Sequence, residues 1–326
     1  MVESYLGHDS QIYGVEEHRL VGGTGDGMRL LQVRNGKGLE FTISADRCSD
    51  ISRVSFQGAN MGFFSPCGYV APQYYDPVGK GFLKSFTAGF LTTCGLRAAG
   101  AACQDEGEDL PMHGTISHKP AQQLNWLVDG EKISISAKMY DAEIFGDKLA
   151  LERTITCSLE ENTIELEDRV RNIGDRESPL MLLYHFNMGY PLLSETAKLH
   201  IPSDSMRPRD REAEKGLSAW DEIIPPQPQY QEQCFYHTFE KEGRAGIFNP
   251  KISKGLVMSF DPRELDCFTQ WKMMGTKDYV MGLEPGNCYP DGRDVVRREG
   301  KLKWIHPNEE KCFRICLQFL DHDPFL

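Results

Sequence analysis

The sequence predicts an all-β protein, a sandwich of large antiparallel sheets, and three observations carry that expectation. Apolar and polar residues alternate with a period of two along many short segments. Convincing helical periodicity is hard to find. No linker and no repeat of roughly 20–50 residues divides the 326-residue chain, so propellers and solenoids are disfavoured and a single domain over residues 1–326 is expected.

The elements follow in order. "LEFTISADRCSDISRVSFQG" (39–58) and "EKISISAKMYDAEI" (131–144) alternate as half-buried strands do. The clearest unit runs from Leu149 to Asn172. Its first arm sets Leu149, Leu151, Ile155, Cys157 and Leu159 against polar residues that include Glu152 and Arg153. Its second arm carries Ile164, Leu166, Asp168 and Val170 in one row, and Glu160-Glu161-Asn162 connects the two as a β-hairpin. Further strands are expected at 180–188, 196–201, 231–239, 244–248, 255–260, 266–272, 278–284 and 311–320, with one or two short helical turns within 207–219.

Bulk chemistry narrows the function. A formal net charge of −12 argues against nucleic acid as a partner, and the basic clusters "RPRDR" (207–211) and "RDVVRREGKLK" (293–303) read as solvated faces. No apolar run reaches the ~20 residues of a membrane span. The opening "MVESYLGHDSQIYG" lacks the basic and apolar segments of a signal peptide, so a cytoplasmic location is expected. Ten cysteines without CxxC or zinc-like spacing read as reduced, mostly buried thiols. The glycine-rich "VGGTGDG" precedes no helix, and no GxSxG motif is present, which disfavours a phosphate loop and a serine hydrolase.

Three segments place polar residues where burial makes them costly. In "LLYHFNMGYPLL" (182–193), Leu182, Tyr184, Phe186 and Met188 share one face, while His185, Asn187 and Gly189 share the other. In "DYVMGLEPGN" (278–287), Glu284 ends a strand with Gly282 in its own row; a desolvated carboxylate there suits a general base. In "DLPMHGTISHKPA" (109–121), His113 precedes a glycine, and His118 follows five residues later. Taken alone, each segment leaves two readings open, a surface polar residue or a site. His113, His118, His185 and Glu284 are also ligand types, yet their spacing fits no metal motif, and no metal is expected. Trp271 and Lys272 adjoin the Glu284 strand, where an aromatic and a cation suit a sugar with an anionic substituent. Asn287 and Arg293 are loop donors near Glu284.

In that order, "LPMHGTISHKPA", "LLYHFNMGYPLL" and "YVMGLEPGN" resemble the aldose 1-epimerase (galactose mutarotase) superfamily, and most closely its poorly characterised bacterial aldose 1-epimerase-like branch. "ADRCSDI" (45–51) and "QWKMMGTKDYVMGLEPGN" (270–287) resemble it too, so the likeness spans roughly residues 40–320. The resemblance implies a galactose mutarotase-like β-supersandwich and cofactor-free interconversion of the α and β anomers of an aldose. It assigns Glu284 as the base on the anomeric hydroxyl and His185 as the acid on the ring oxygen. His113 would bind sugar hydroxyls, and Asn187 would orient His185 or contact the sugar. The superfamily's arginine ahead of the HG motif has no counterpart before Arg97, and its acidic sugar contact has only Asp261 and Asp266 as candidates. Arg47, Lys272 and Arg293 suggest a modified or acidic sugar. A carbohydrate-binding protein without turnover is the alternative, and a hydrolase or lyase would call for two carboxylates.

Overall fold

A computed structural model describes residues 3–325. Three large sheets account for most of it, and the pairings within each are antiparallel. A five-stranded sheet runs in sequence order from Gly14–Arg19 to Ala59–Asn60. An eight-stranded sheet contains the expected hairpin, Lys148–Ser158 paired with Thr163–Asn172, with Glu310–Leu320 and Lys254–Phe260 beyond it. A six-stranded sheet is ordered Ser205–Pro208, Gln233–Thr238, Cys267–Met274, Tyr279–Gly286, Met181–Met188, Leu91–Leu96.

One apolar core joins the three sheets. Phe41 and Ile51 enter it from the first, Leu151 and Leu166 from the second, and Leu182, Tyr184, Phe186 and Met188 from the third. The period-2 reading of Met181–Met188 therefore holds for the core face. The other face is not solvated, however: all eight residues of the strand are buried. Met181 and Leu183 pack with Cys94, Ala99, Cys288 and Val296 in a second, smaller cluster. That second layer is why a histidine and an asparagine could stand in an apolar run.

One polar residue of the hairpin departs from expectation. Arg153 lies on the apolar row of its strand, 1% exposed, directly opposite Asp168 on the partner strand. Its guanidinium donates to both Asp168 oxygens, to Asp50, to the Cys48 carbonyl and to Thr93 Oγ1, while the Tyr184 hydroxyl donates to Asp168. One side chain thus ties together the five-, eight- and six-stranded sheets.

The short helix expected in 207–219 is Arg211–Lys215, capped by Asp210, whose carboxylate accepts from the Glu212 and Ala213 amides. The basic stretch after Gly292 forms a second helix, Arg293–Arg298, which alternation had not announced. Among the described residues no helix is long and apolar enough to cross a membrane.

Candidate functional site

The six-stranded sheet sets out the site through its register. Phe186 pairs with Leu283 and Asn187 with Gly282, which leaves His185 alongside Glu284; on the other side Glu284 pairs with Thr269 and Gly282 with Trp271. Because side chains alternate, His185, Glu284, Thr269 and Trp271 emerge on one face. His185 Nε2 stands 3.2 Å from Glu284 Oε1. The glycine in the Glu284 row has a definite purpose: a Cβ on Gly282 would lie 2.3 Å from Glu284 Oε1 and 2.9 Å from the Trp271 Cβ. Gly189, by contrast, makes room for backbone, since a Cβ there would meet the Gly62 carbonyl oxygen at 2.5 Å.

His113 arrives from outside the sheet. Its backbone adopts a left-handed φ of 57°, its amide donates to the Gly100 carbonyl, and its carbonyl accepts from Gly95 on the strand beside His185. Gly114, at φ 71°, follows because a Cβ would collide with the Gly95 and Ala98 carbonyl oxygens. The HG pair is thereby pinned to the strand Leu91–Leu96, and the His113 and His185 rings meet edge to face at 5.8 Å.

These groups border a cleft of about 390 Å³ whose polar side chains include His113, His185, Arg209, Glu232, Thr269 and Glu284. Burial dominates its electrostatics. It pushes the Glu284 carboxyl well above the usual range; the nearby Glu232 charge adds to this and Arg209 opposes it. It pulls His185 down to about 3, with His113 adding to the effect, and His113 itself to about 4. Both members of the His185–Glu284 pair are therefore driven toward neutrality.

Seven buried side-chain atoms among the described residues lack a hydrogen-bond partner, and five of them belong here: His113 Nδ1, His185 Nδ1, Asn187 Oδ1, Thr269 Oγ1 and Glu284 Oε1. Each such atom costs about 1–3 kcal/mol. Their concentration at one place marks a surface made for something other than the protein's own stability.

The remaining expected site residues do not line the cleft. Asn187 is fully buried, with its Nδ2 donating to the His185 carbonyl, a position suited to orienting that histidine rather than to contacting a ligand. Lys272 projects from the face opposite Trp271 and donates to the Ala219 carbonyl. Arg293 is held by Asp105 and Glu108. Asn287 bridges the Leu182 amide and the Leu180 carbonyl. Arg47 is buried against the Ser117, Val70 and Ser85 carbonyls. The cations that suggested an acidic sugar are therefore committed outside the cleft. Asp261 pairs with Arg263, Asp266 with Lys303, and Arg97 with Glu108 and Asp147. His118 is hydrogen-bonded between Ser85 and Ser117 and stacked on Tyr75.

Sequence reasoning missed Arg209 and Glu232. The Glu232 carboxylate accepts from Trp271 Nε1 at 2.7 Å and pairs with Arg209 at 3.2 Å, while Arg209 also donates to Asp210 and to Cys234 Sγ. The cleft thus has both an arginine and a second carboxylate. Arg209 lies inside "RPRDR", which had read as a surface cluster.

Four desolvated histidines, three of them buried and His113 half-buried, give a pH signature. His113, His118, His185 and His237 are all pulled below their ordinary value, to about 4, 2, 3 and 4, by burial before all else. Unfolding lets each take up a proton that the folded state refuses, so stability is intact above the ordinary histidine value of 6.5 and is lost as pH falls toward the folded values. Urea midpoints are expected to drop steadily from pH 7 to pH 4.5. A flat profile would contradict neutral, buried imidazoles.

The sheets and cleft place the molecule in the galactose mutarotase-like fold class. A Klebsiella pneumoniae protein provisionally named an aldose 1-epimerase superimposes with a TM-score of 0.90 at 26% identity, covering 95% of this chain and 84% of that one. A galactose mutarotase-like protein from Clostridium acetobutylicum gives 0.69 at 14% identity over 95% and 99% of the two chains. Galactose 1-epimerase from Lactobacillus acidophilus gives 0.63 at 13% over 95% and 100%. These last two establish the fold alone. No curated protein matches the sequence. The chain belongs to the family described as Domain of unknown function (DUF4432), whose model matches residues 25–319.

Proposed function

We propose that the protein is an isomerase that interconverts the α and β anomers of an aldose by acid–base ring opening. The observation that carries this reading is the pair itself: an imidazole nitrogen and a carboxylate oxygen 3.2 Å apart at a cleft. The two oxygens that exchange protons in ring opening, O1 and the ring oxygen, are both bonded to C1. A side-by-side acid and base is therefore the arrangement that reaches both.

In the reactive state Glu284 is the carboxylate and His185 carries the proton, one proton shared by the pair in total. Glu284 takes the O1 proton, the O1 lone pair forms the C1=O1 bond, the bond from C1 to the ring oxygen breaks, and His185 delivers its proton to that oxygen. Rotation about C1–C2 presents the other carbonyl face. Reclosure then reverses both transfers: His185 takes back the proton from the ring oxygen as that oxygen attacks C1, and Glu284 returns its proton to O1, with the anomeric centre inverted. His113, whose side chain lines the cleft, supplies a hydrogen bond to a sugar hydroxyl. The Arg209–Glu232 pair offers donors and an acceptor to others, and Trp271 offers a ring.

Anomer exchange followed by NMR across a panel of aldoses tests the reading. Exchange faster than in buffer is expected for at least one sugar. Sugars that bind without any acceleration would leave a carbohydrate-binding protein instead.

A further inference from the structure

The large sheets close most of their edges. Gly14–Arg19, at one end of the five-stranded sheet, carries Glu16, Glu17 and Arg19, and Ala59–Asn60 at the other end is two residues long. Ser205–Pro208 ends in a proline, and Lys198–His200 has three residues. Leu91–Leu96 is buried, and the HG segment bonds to its Gly95. Short length, charge, proline and a covering segment are the devices that stop a free edge from pairing.

The remaining edge has none of them. Gln123–Val128, "QLNWLV", ends the eight-stranded sheet, and among the described residues its backbone pairs only with Lys132–Ala142. It holds no charged residue and no proline, in a chain of which 26% is charged. Leu124, Trp126 and Val128 form the core-side row, for they pair with the buried Ala137, Ile135 and Ile133, and Leu124 packs on the core itself. The apolar layer thus runs out to the edge and stops there, with Trp126 40% exposed; on the opposite face Leu127 is 64% exposed.

We infer that this edge pairs with the same edge of a second copy, antiparallel about a twofold axis at Trp126, so that two eight-stranded sheets run on as one. Pairing in that register sets Trp126 against its own counterpart and Leu124 against Val128 of the second copy, apolar on apolar along the whole row. Each chain has a net charge of −12, so two copies repel unless they meet at an uncharged surface, and this strand is one. The register also sets Asp129 opposite Gln123 of the second copy, whose inner neighbour is Lys138. A carboxylate and an ammonium, the latter also bound by Glu152, then share one face at each end of the joint, two strand spacings or roughly 10 Å apart. The inference stands apart from the proposed activity.

Sedimentation of the full chain between about 1 and 100 μM tests it. Six residues a side make a smaller contact than the roughly 20–30 of a standard interface, so a dimer that dissociates on dilution within that range is expected. Trp126→Lys brings two ammonium groups together at the axis and is expected to raise the dimer dissociation constant at least about tenfold. Leu127→Lys, at a largely solvated position, is expected to weaken the dimer in the same direction and keeps the test decisive if Trp126→Lys fails to fold. A parent chain that stays monomeric at the upper concentration would overturn the inference and leave the edge to a different partner. A dimer indifferent to the folded variants would overturn it as well, by placing the contact on another surface.

Discussion

Glu284→Gln is expected to lose anomer exchange by roughly 10²–10⁴-fold, the typical contribution of a positioned general base, and to melt at a higher temperature than the parent at neutral pH. The two effects share a cause. Glu284 is 1% exposed, its Oε1 has no hydrogen-bond partner, and burial holds its carboxyl well above the ordinary range. Above the ordinary carboxylate value, the unfolded chain releases a proton that the folded chain retains. Wild-type stability contributed by this group is therefore complete at low pH and declines as pH rises toward the folded pKa. Glutamine fills the same space and never ionises, so the gain in melting temperature should widen from pH 5 to pH 8. Calorimetry at the two pH values, with exchange measured by NMR, checks both halves. A variant less stable at every pH would mean that the carboxylate is satisfied and that the site carries no strain; retained exchange would remove Glu284 from the chemistry.

Much of this site was legible because strand alternation is a local property. Period 2 put His185 and Asn187 on one face of 182–193 and Glu284 beside Gly282, and the structure keeps both assignments. What alternation could not convey is which partner a charged side chain would find across the fold. Arg293 meets Asp105 from 188 positions away, and Arg47 spends its donors on the carbonyls of three distant segments. Both resembled free cations in the sequence for that reason. Arg209 erred in the opposite direction, since only the pairing of its strand end with Cys234 brings it into the cleft. The strand Leu91–Leu96, next to His185, escaped notice because all six of its residues are buried, so no polar alternation marks it.

Arg153 shows how the two kinds of information combine, and it carries the largest stability effect expected outside the cleft. Asp168 sat visibly in the apolar row of its strand, and a lone carboxylate there would be prohibitive without a buried cation opposite. Arg153 is that cation, 1% exposed, and its bonds to Asp168, Asp50, Cys48 and Thr93 join all three sheets. Thr93 and Tyr184, both in this network, are immediate neighbours of Thr92 and His185 in sequence, so it also fixes the back of the strands that border the cleft. Arg153→Met should cost about 3–5 kcal/mol, a large share of the 5–15 kcal/mol typical of a domain, because two carboxylates are left buried without their partner. Arg153→Met with Asp168→Asn should recover part of that loss. It removes the second uncompensated charge, and burial already raises the pKa of the remaining Asp50 so that it can hold a proton. Urea unfolding of the two single variants and the double variant measures the coupling. Strictly additive losses would show that packing, not the ion pair, holds the three sheets at this point.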